Sequence, residues 1–598
     1  MADRVFFIDR NRGNDSNSGL SRSAAWASLS KITSQTDAGP GDFFLLADDS
    51  RWDLDYAIGS DGRVVPSTSW TGNRRRPVTI GRYAPSSQSV GNKPTILFHH
   101  EIAADEWVYD ADLNGWLWTA PSAHVNMMGL LRIADTWIAN GIDQAAAVEG
   151  SSTGAVASID GRYNKTSTNN KLLLYAPAGA NPTTYYGKVI YSPEATGAIT
   201  LSSGRKCIVV EDLHFEETGA GVLMYSNNTT EAYYVARGLS GRVVSGLVTM
   251  NADTSGALEA VAEDCEISDY GVTGIHANAT GGAGFKSVEI RRNKLRNGGH
   301  VQSQAGIYVQ VRNAAREFIC KVWGNDIAGH RWGTRDKGYD GCGIYAETGS
   351  DGVLIFGNVV HDQYCAFQDN SGRRNFWFGN VAYNVRIGFR LSDQQLNNQS
   401  DCRFHNNTLL VGFNQPMTEW GAAQGQEYPG IWMYKGSSTL NLAASNNIIA
   451  NVGGQRGRAA FGLPDVYATS TYSLTNNWIY GFEAETLKAS DNSAPSPAPT
   501  VTKAGSTDPR AFINIDGRLR VPYMLDDIPI LNPLGAAGTY VQGVRLMEGQ
   551  RAQPGRTPIG AFALGRTYAD ERGTAESLIT QDFLNIMSED GTFLTMEE

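Results

Sequence analysis

Short apolar runs recur through the middle of the chain, and each ends at a turn that carries Asn. Val353-Leu354-Ile355-Phe356 runs into Gly357-Asn358-Val359, Phe376-Trp377-Phe378 into Gly379-Asn380-Val381, and Leu474 leads to Asn476-Asn477-Trp478. Arg292-Asn293-Lys294, Gly324-Asn325-Asp326, Asn406-Asn407-Thr408 and Asn446-Asn447-Ile448 complete the series. Successive marked Asn residues are 32, 33, 22, 27, 40 and 30 residues apart, a near-constant minimum length plus insertions. Such a series predicts stacked coils of a solenoid, with the extra residues looping from one edge. Asn fits a tight corner because it tolerates left-handed backbone angles and bonds to neighbouring amides. Stacking one coil on another also lets these side chains form a ladder.

A second strand lines up in the same coils: Gly274-Ile275-His276, Gly306-Ile307-Tyr308, Gly343-Ile344-Tyr345, Cys365-Ala366-Phe367 and Gly388-Phe389-Arg390. A sandwich of unrelated strands would not repeat in this way. A leucine-rich repeat fails on its Leu spacing and on the missing helical stretch in each coil.

Outside the coils the pattern divides the chain into four. Residues 1–104 hold Val5-Phe6-Phe7-Ile8, a turn rich in Asp, Asn, Gly and Ser from Asp9 to Gly19, a short helix around Ser28-Leu29-Ser30-Lys31-Ile32, and strands at Phe43-Phe44-Leu45-Leu46, Val78-Thr79-Ile80 and Thr95-Ile96-Leu97-Phe98. They read as a cap and the first coils, since an uncapped terminal coil leaves an open pairing edge. In residues 105–194 the coil spacing disappears and aromatic strands such as Trp107-Val108-Tyr109, Trp116-Leu117-Trp118 and Thr136-Trp137-Ile138 predict a small inserted β-rich domain. Residues 195–485 are the main stack, and a Ser, Pro and Ala-rich stretch from Ser490 to Thr500 marks its end. Residues 486–598 read as a β-rich closing region, with strands at Phe512-Ile513-Asn514-Ile515 and Pro558-Ile559-Gly560-Ala561-Phe562 and a hairpin around Ser588 to Thr592.

Composition narrows the partners. The 598 residues carry 61 Asp and Glu against 50 Lys and Arg, a formal charge of -11, which argues against nucleic acid. Six Cys without a CxxC spacing read as small buried side chains, with no disulfide framework and no metal site. The opening Met1-Ala2-Asp3-Arg4-Val5-Phe6-Phe7 lacks the features of a secretory signal, and no segment reads as a membrane span, so synthesis in the cytoplasm without membrane insertion is expected.

Phe7-Ile8-Asp9 with Asn14-Asp15-Ser16-Asn17-Ser18-Gly19 and Trp26-Ala27-Ser28-Leu29, together with the Pro558-Ile559-Gly560-Ala561-Phe562 ending, resembles the pectate-lyase-like right-handed β-helix superfamily. Within it, the acidic chain looks most like a bacteriophage tailspike that depolymerises capsular polysaccharide or O-antigen. The resemblance implies an all-β, right-handed parallel β-helix solenoid with an inserted small β domain and C-terminal strands. It also implies a homotrimer on a phage tail or baseplate protein, in a virion tail acting at the bacterial surface on a surface polysaccharide. No cofactor is expected. A separate virion-attachment module is not evident, which departs from the tailspike pattern and keeps a bacterial lyase of the same fold in play.

Aligning coils locates candidate chemistry. Alternation in Gly343-Ile344-Tyr345-Ala346-Glu347 puts Tyr345 and Glu347 outward, and laying Cys365-Ala366-Phe367-Gln368-Asp369 on it puts Asp369 over Glu347. Carboxylates on adjacent coils lie roughly 5 Å apart, the separation of a retaining glycosidase, with a wider gap giving inversion. Like-charge proximity raises one pKa, so that one group serves as acid and the other as base or nucleophile. His276, Tyr308 and Tyr345 form one outward column, Gln310 and Glu347 the next, and Arg390 continues the face, an array that can hold an acidic glycan. The segment His330-Arg331-Trp332-Gly333-Thr334-Arg335-Asp336-Lys337-Gly338-Tyr339-Asp340 can wall a groove, and Asp336 or Asp340 can replace either carboxylate.

Each of these side chains is also an ordinary solvent-facing residue of an acidic solenoid. Two other functions fit the same face. A lyase would use Tyr308, Tyr345, His276 or His330 as base and Arg390, Arg331 or Arg335 to stabilise developing charge. An adhesin would bind repeating sugars through Tyr, Trp, Asn and Arg without cleaving them.

Overall fold

A computed structural model describes residues 3–55, 63–85, 91–111, 115–119, 129–133, 136–138, 171–174, 180–193, 197–202, 204–226, 231–252, 258–279, 284–300, 305–311, 319–330, 341–347, 349–370, 372–392, 400–412, 430–434, 440–453, 457–463, 471–488, 494–496, 499–506, 508, 545–546 and 550–551. Most of the described strands are parallel and pair with a strand one coil later, which makes a right-handed β-helix-type solenoid. The chain forms two compact units: residues 1–289 with 293–308 and 330–341, and residues 290–292 with 309–329 and 342–598.

In the first unit, Val5–Ile8 pairs with Phe43–Ala47, and the wall continues through Val78–Tyr83, Ile208–Glu211, Ala232–Arg237 and Leu258–Glu263. Its first coil is closed by stacked rings: Phe6 lies 5.1 Å from Trp26 and 4.9 Å from Phe44, which lies 4.8 Å from Trp70. The expected short helix is present at Ser30–Ser34. Antiparallel pairing joins Val108–Asp110, Gly115–Thr119 and Lys171–Leu174, and separately Gly129–Ile133 with Thr136–Ile138 and Val189–Pro193.

The second unit carries the Asn ladder. The Nδ2 of Asn325, Asn358, Asn380, Asn407 and Asn447 each donates to the Oδ1 of the next member, ending at Asn477, over 2.9 to 3.2 Å. Each backbone N–H in the series donates to the same oxygen. The left-handed angle belongs to the residue before the ladder Asn: Gly324, Gly357, Gly379, Asn406, Asn446 and Asn476 have φ between 55° and 65°. The ladder Asn thus supplies hydrogen bonds, and its predecessor supplies the turn.

Five strands of this unit form the wall that matters below: β1 (Cys342–Ala346), β2 (Val359–Asn370), β3 (Val381–Ser392), β4 (Ile431–Tyr434) and β5 (Ala459–Leu463). Ile344, Phe367, Phe389, Ile431 and Phe461 stand in register and pack inward, all fully buried. The glycine entering such strands has a steric cause. A Cβ on Gly388 would stand 2.8 Å from Leu409 Cδ1 and 3.0 Å from the Gly430 carbonyl oxygen.

None of the six Cys forms a disulfide; Cys342 and Cys365 face each other in register and are buried. No helix among the described residues is long and apolar enough to cross a membrane. The expected strands at Phe512-Ile513-Asn514-Ile515 and Pro558-Ile559-Gly560-Ala561-Phe562 and the terminal hairpin lie outside the described residues.

Candidate active site

The register of β1 on β2 is one residue away from the expected alignment. Ile344 faces Phe367, Tyr345 faces Gln368 and Ala346 faces Asp369. Because side chains alternate with a period of two, a one-residue offset exchanges the two faces of β2. Asp369 therefore points inward, behind Ala346, and does not stand over Glu347. Its carboxylate is fully buried. It accepts hydrogen bonds from the Gly372 N–H (3.0 Å), Asn375 Nδ2 (3.0 Å) and Trp377 Nε1 (3.0 Å). Burial raises its pKa, and these donors offset part of that rise. The Cys402 side chain is a further partner, and this interior position means that the expected Glu347–Asp369 pair is not assembled.

The outer face carries a different group. Tyr345, Gln368, Arg390 and Trp432 occupy matched positions on β1 to β4, each buried although each points away from the core. The Arg390 guanidinium lies 5.2 Å from the Trp432 ring centroid, and its Nη1 donates to Gln368 Oε1 at 3.4 Å. Cation on indole face is a desolvated, favourable contact for a charge held off water. Four residues earlier on β2 and β3, Tyr364 and Arg386 repeat the pairing of ring and cation, with the guanidinium 5.9 Å from the phenol ring. Burial raises the Tyr364 pKa and lowers that of Arg386.

Glu347 leaves the end of β1 half-buried. Its N–H donates to the Val309 carbonyl at 2.8 Å, which ties it to the preceding coil. Asn370 Nδ2 donates both to Glu347 Oε1 and to the Tyr345 hydroxyl, each at 2.8 Å. One amide thus fixes a carboxylate and a phenol side by side. Asn370, Gln368 and Trp432 were not singled out by the sequence pattern, although Gly430-Ile431-Trp432 repeats Gly343-Ile344-Tyr345.

The remaining expected groups have the following surroundings. In the first unit, the Tyr308 ring meets His276 edge-on with centroids 4.6 Å apart, and burial lowers the His276 pKa to about 4. His330 does not wall a groove. It is buried with Nδ1 2.9 Å from the Tyr270 hydroxyl, and burial, with the nearby His300, draws its pKa to about 3. Gln310 belongs to the second unit and is half-buried in its strand. Arg331, Trp332, Arg335, Asp336 and Asp340 lie outside the described residues. Among the described residues, no three His, Cys, Asp or Glu side chains gather as a metal site.

No family model matches the chain. A stretch of 111 residues, 18% of this chain, is 29% identical to lacto-N-biosidase of Bifidobacterium longum subsp. longum and spans 6% of that protein. The complex of XylC with xylose is similar over 86% of this chain and 88% of its own, with a TM-score of 0.47 and 10% identity. The GH136 lacto-N-biosidase from Eubacterium ramulus is similar over 74% of this chain and 64% of its own, with a TM-score of 0.39 and 13% identity.

Proposed function

We propose that the chain is a carbohydrate-active enzyme that cleaves a polysaccharide on the outer face of β1 to β4, with Glu347 as its acid/base carboxylate. The observation that carries this reading is the outward column itself. Four large polar or aromatic side chains, Tyr345, Gln368, Arg390 and Trp432, stack in register beside a half-buried carboxylate whose position is fixed by Asn370. Aromatic faces and amides are the groups that hold sugars, and a cation adds selectivity for acidic ones. The short match to a lacto-N-biosidase, a protein named for glycosidic chemistry, supports the same class.

As a glycoside hydrolase, the site needs a second carboxylate across the scissile bond from Glu347. Asp336 and Asp340, in the segment leading into β1, are the proposed sources. A separation of about 5 Å would give retention and one of roughly 6.5 to 9.5 Å inversion. A lyase is the second reading, and the inward position of Asp369 favours it. Among the described residues of this column pair, Glu347 is the remaining carboxylate, and it accompanies an arginine. In that chemistry Arg390 neutralises a uronate carboxylate while Tyr345 or Glu347 removes the neighbouring proton.

In its finer form the reading is a tailspike depolymerase, a homotrimer on a phage tail or baseplate protein that acts on capsular polysaccharide or O-antigen at the bacterial surface. Its support is the resemblance of the opening residues, and light scattering of the purified chain tests the trimer. For the activity, the wild type and Glu347→Gln are incubated with polygalacturonate, alginate, xylan, lacto-N-tetraose and purified capsules and O-antigens. New reducing ends without unsaturation mark hydrolysis, and unsaturated uronate marks elimination. Glu347→Gln should lower turnover by about 10²- to 10⁴-fold. Equal turnover by the folded variant removes Glu347 from the reaction, and glycan binding without cleavage by the wild type makes the chain an adhesin.

A further inference from the structure

The carboxamide of Gln368 lies between Tyr345 and Arg390 in the outward column and is fully buried. Its orientation is fixed by chemistry. Arginine has donors only, so the Gln368 atom 3.4 Å from Arg390 Nη1 must be the oxygen. A flipped amide would set N–H against N–H. The Nε2 end is therefore turned away from Arg390, and it finds no acceptor among the described residues. A buried primary amide with one end anchored and two N–H donors left over is unfavourable by itself, because those donors have given up water for nothing.

The neighbours cannot relieve it by simple rotation. The Asn370 amide is already committed to the Tyr345 hydroxyl and to Glu347. Gln368 could swing its nitrogen only by releasing Arg390, which the Trp432 ring holds from the other side. The geometry points to Gln368 as a specificity-determining residue that donates through Nε2 to an oxygen of the sugar bound beside Glu347. This inference rests on the cleavage site proposed above and adds to it the polarity of one subsite. The group read there is an acceptor, namely a hydroxyl, ring or carboxylate oxygen. A sugar presenting a methyl or an acetamido N–H at that point would be rejected, since the donors would again be left unmatched.

Two substitutions separate recognition from packing. Gln368→Glu keeps the shape and keeps an oxygen for Arg390, but turns the outward donor into an acceptor. Gln368→Met keeps the volume and removes both functions. Steady-state kinetics and calorimetric binding are measured with polygalacturonate, alginate, xylan and lacto-N-tetraose, alongside thermal unfolding. The expected result is a KM raised about tenfold or more in both variants, with kcat within about threefold, on whichever of the four glycans the wild type cleaves. Gln368→Glu should unfold at the wild-type temperature, while Gln368→Met unfolds lower. A Gln368→Glu enzyme with unchanged KM overturns the role of Gln368 and leaves the cleavage site standing. Failure of the wild type to bind or cleave any of the four overturns the site and this inference together.

Discussion

Replacing Asn380 by Ala removes one rung from the middle of the ladder. The side chain is fully buried. Its Oδ1 accepts from the Asn358 N–H (3.1 Å) and Asn358 Nδ2 (2.9 Å), and its Nδ2 donates to the Ile355 carbonyl (3.0 Å) and Asn407 Oδ1 (2.9 Å). The bond from its own N–H to Asn407 Oδ1 survives, because it is made by the backbone. Four bonds are lost at about 1 kcal/mol each, so the local cost is about 4 kcal/mol. In a chain of this size a single two-state unfolding energy is not defined, and the suitable readout is native-state hydrogen exchange of the coils on either side. Since about 1.4 kcal/mol is a factor of ten, amides of Val353–Phe356 and Asn375–Phe378 should exchange roughly a thousandfold faster. Asn384→Gly is the control: this exposed Asn bonds Asp362 at the surface and has φ 48°, which Gly adopts without strain, so its removal should cost under about 0.5 kcal/mol. Exchange in Asn380→Ala within tenfold of wild type would refute the ladder as a stabilising element.

Gly388→Ala forces a Cβ against Leu409 and the Gly430 carbonyl, at an expected cost of about 1 to 3 kcal/mol. Thermal unfolding should fall by several degrees, against no change for Gly39→Ala, where a Cβ meets nothing within 4 Å; equal melting of the two variants would count against the steric account. His405 supplies a pH test. Burial, aided by Arg403, lowers its pKa to about 4, below the unfolded value of about 6.5. A depressed value means that its contribution is present above about pH 6.5 and is lost as pH falls towards 4. His405→Asn, which can keep a bond to Ser445, should therefore lose less thermal stability than wild type between pH 7 and 4.5; parallel losses would show that His405 does not drive the acid sensitivity.

Much of the solenoid is legible in the sequence because its signals are local. Each Asn turn and the apolar run that ends at it are written within five residues of one another, and the Gly of each second strand adjoins the residues it admits. Arg390 could be placed outward from Gly388-Phe389-Arg390 alone, and it does stand in the outward column. What sequence could not supply is the partner of each group. Trp432 is separated from Arg390 by 41 intervening residues, so its contact with the guanidinium depends on how far a long insertion carries the chain before it rejoins the wall. His330 sits in a segment rich in charge, yet the Tyr270 hydroxyl that holds it lies 60 residues earlier.

The offset of β2 shows why alternation alone misplaces Asp369. Read by polarity, Asp369 belongs outside and the strand slides by one residue to suit it. That slide would carry Phe367 to the outer face and Gln368 into the core. Phe367 is fully buried, with its ring 5.8 Å from Trp377, and burying such a side chain is worth about 1.5 to 3 kcal/mol. The opposing term, an interior carboxylate, is offset by hydrogen bonds from Gly372, Asn375 and Trp377. Hydrogen bonds to a charged group contribute about 1.5 to 3 kcal/mol each. Three of them, together with the phenylalanine, outweigh the preference of one acidic residue for water. Two of those donors lie on the facing wall, six and eight residues further on, where only the closed coil brings them to the carboxylate. The register is thus decided by the interior that β2 closes over, and the outer face, with Gln368 and Arg390 in one column, follows from it.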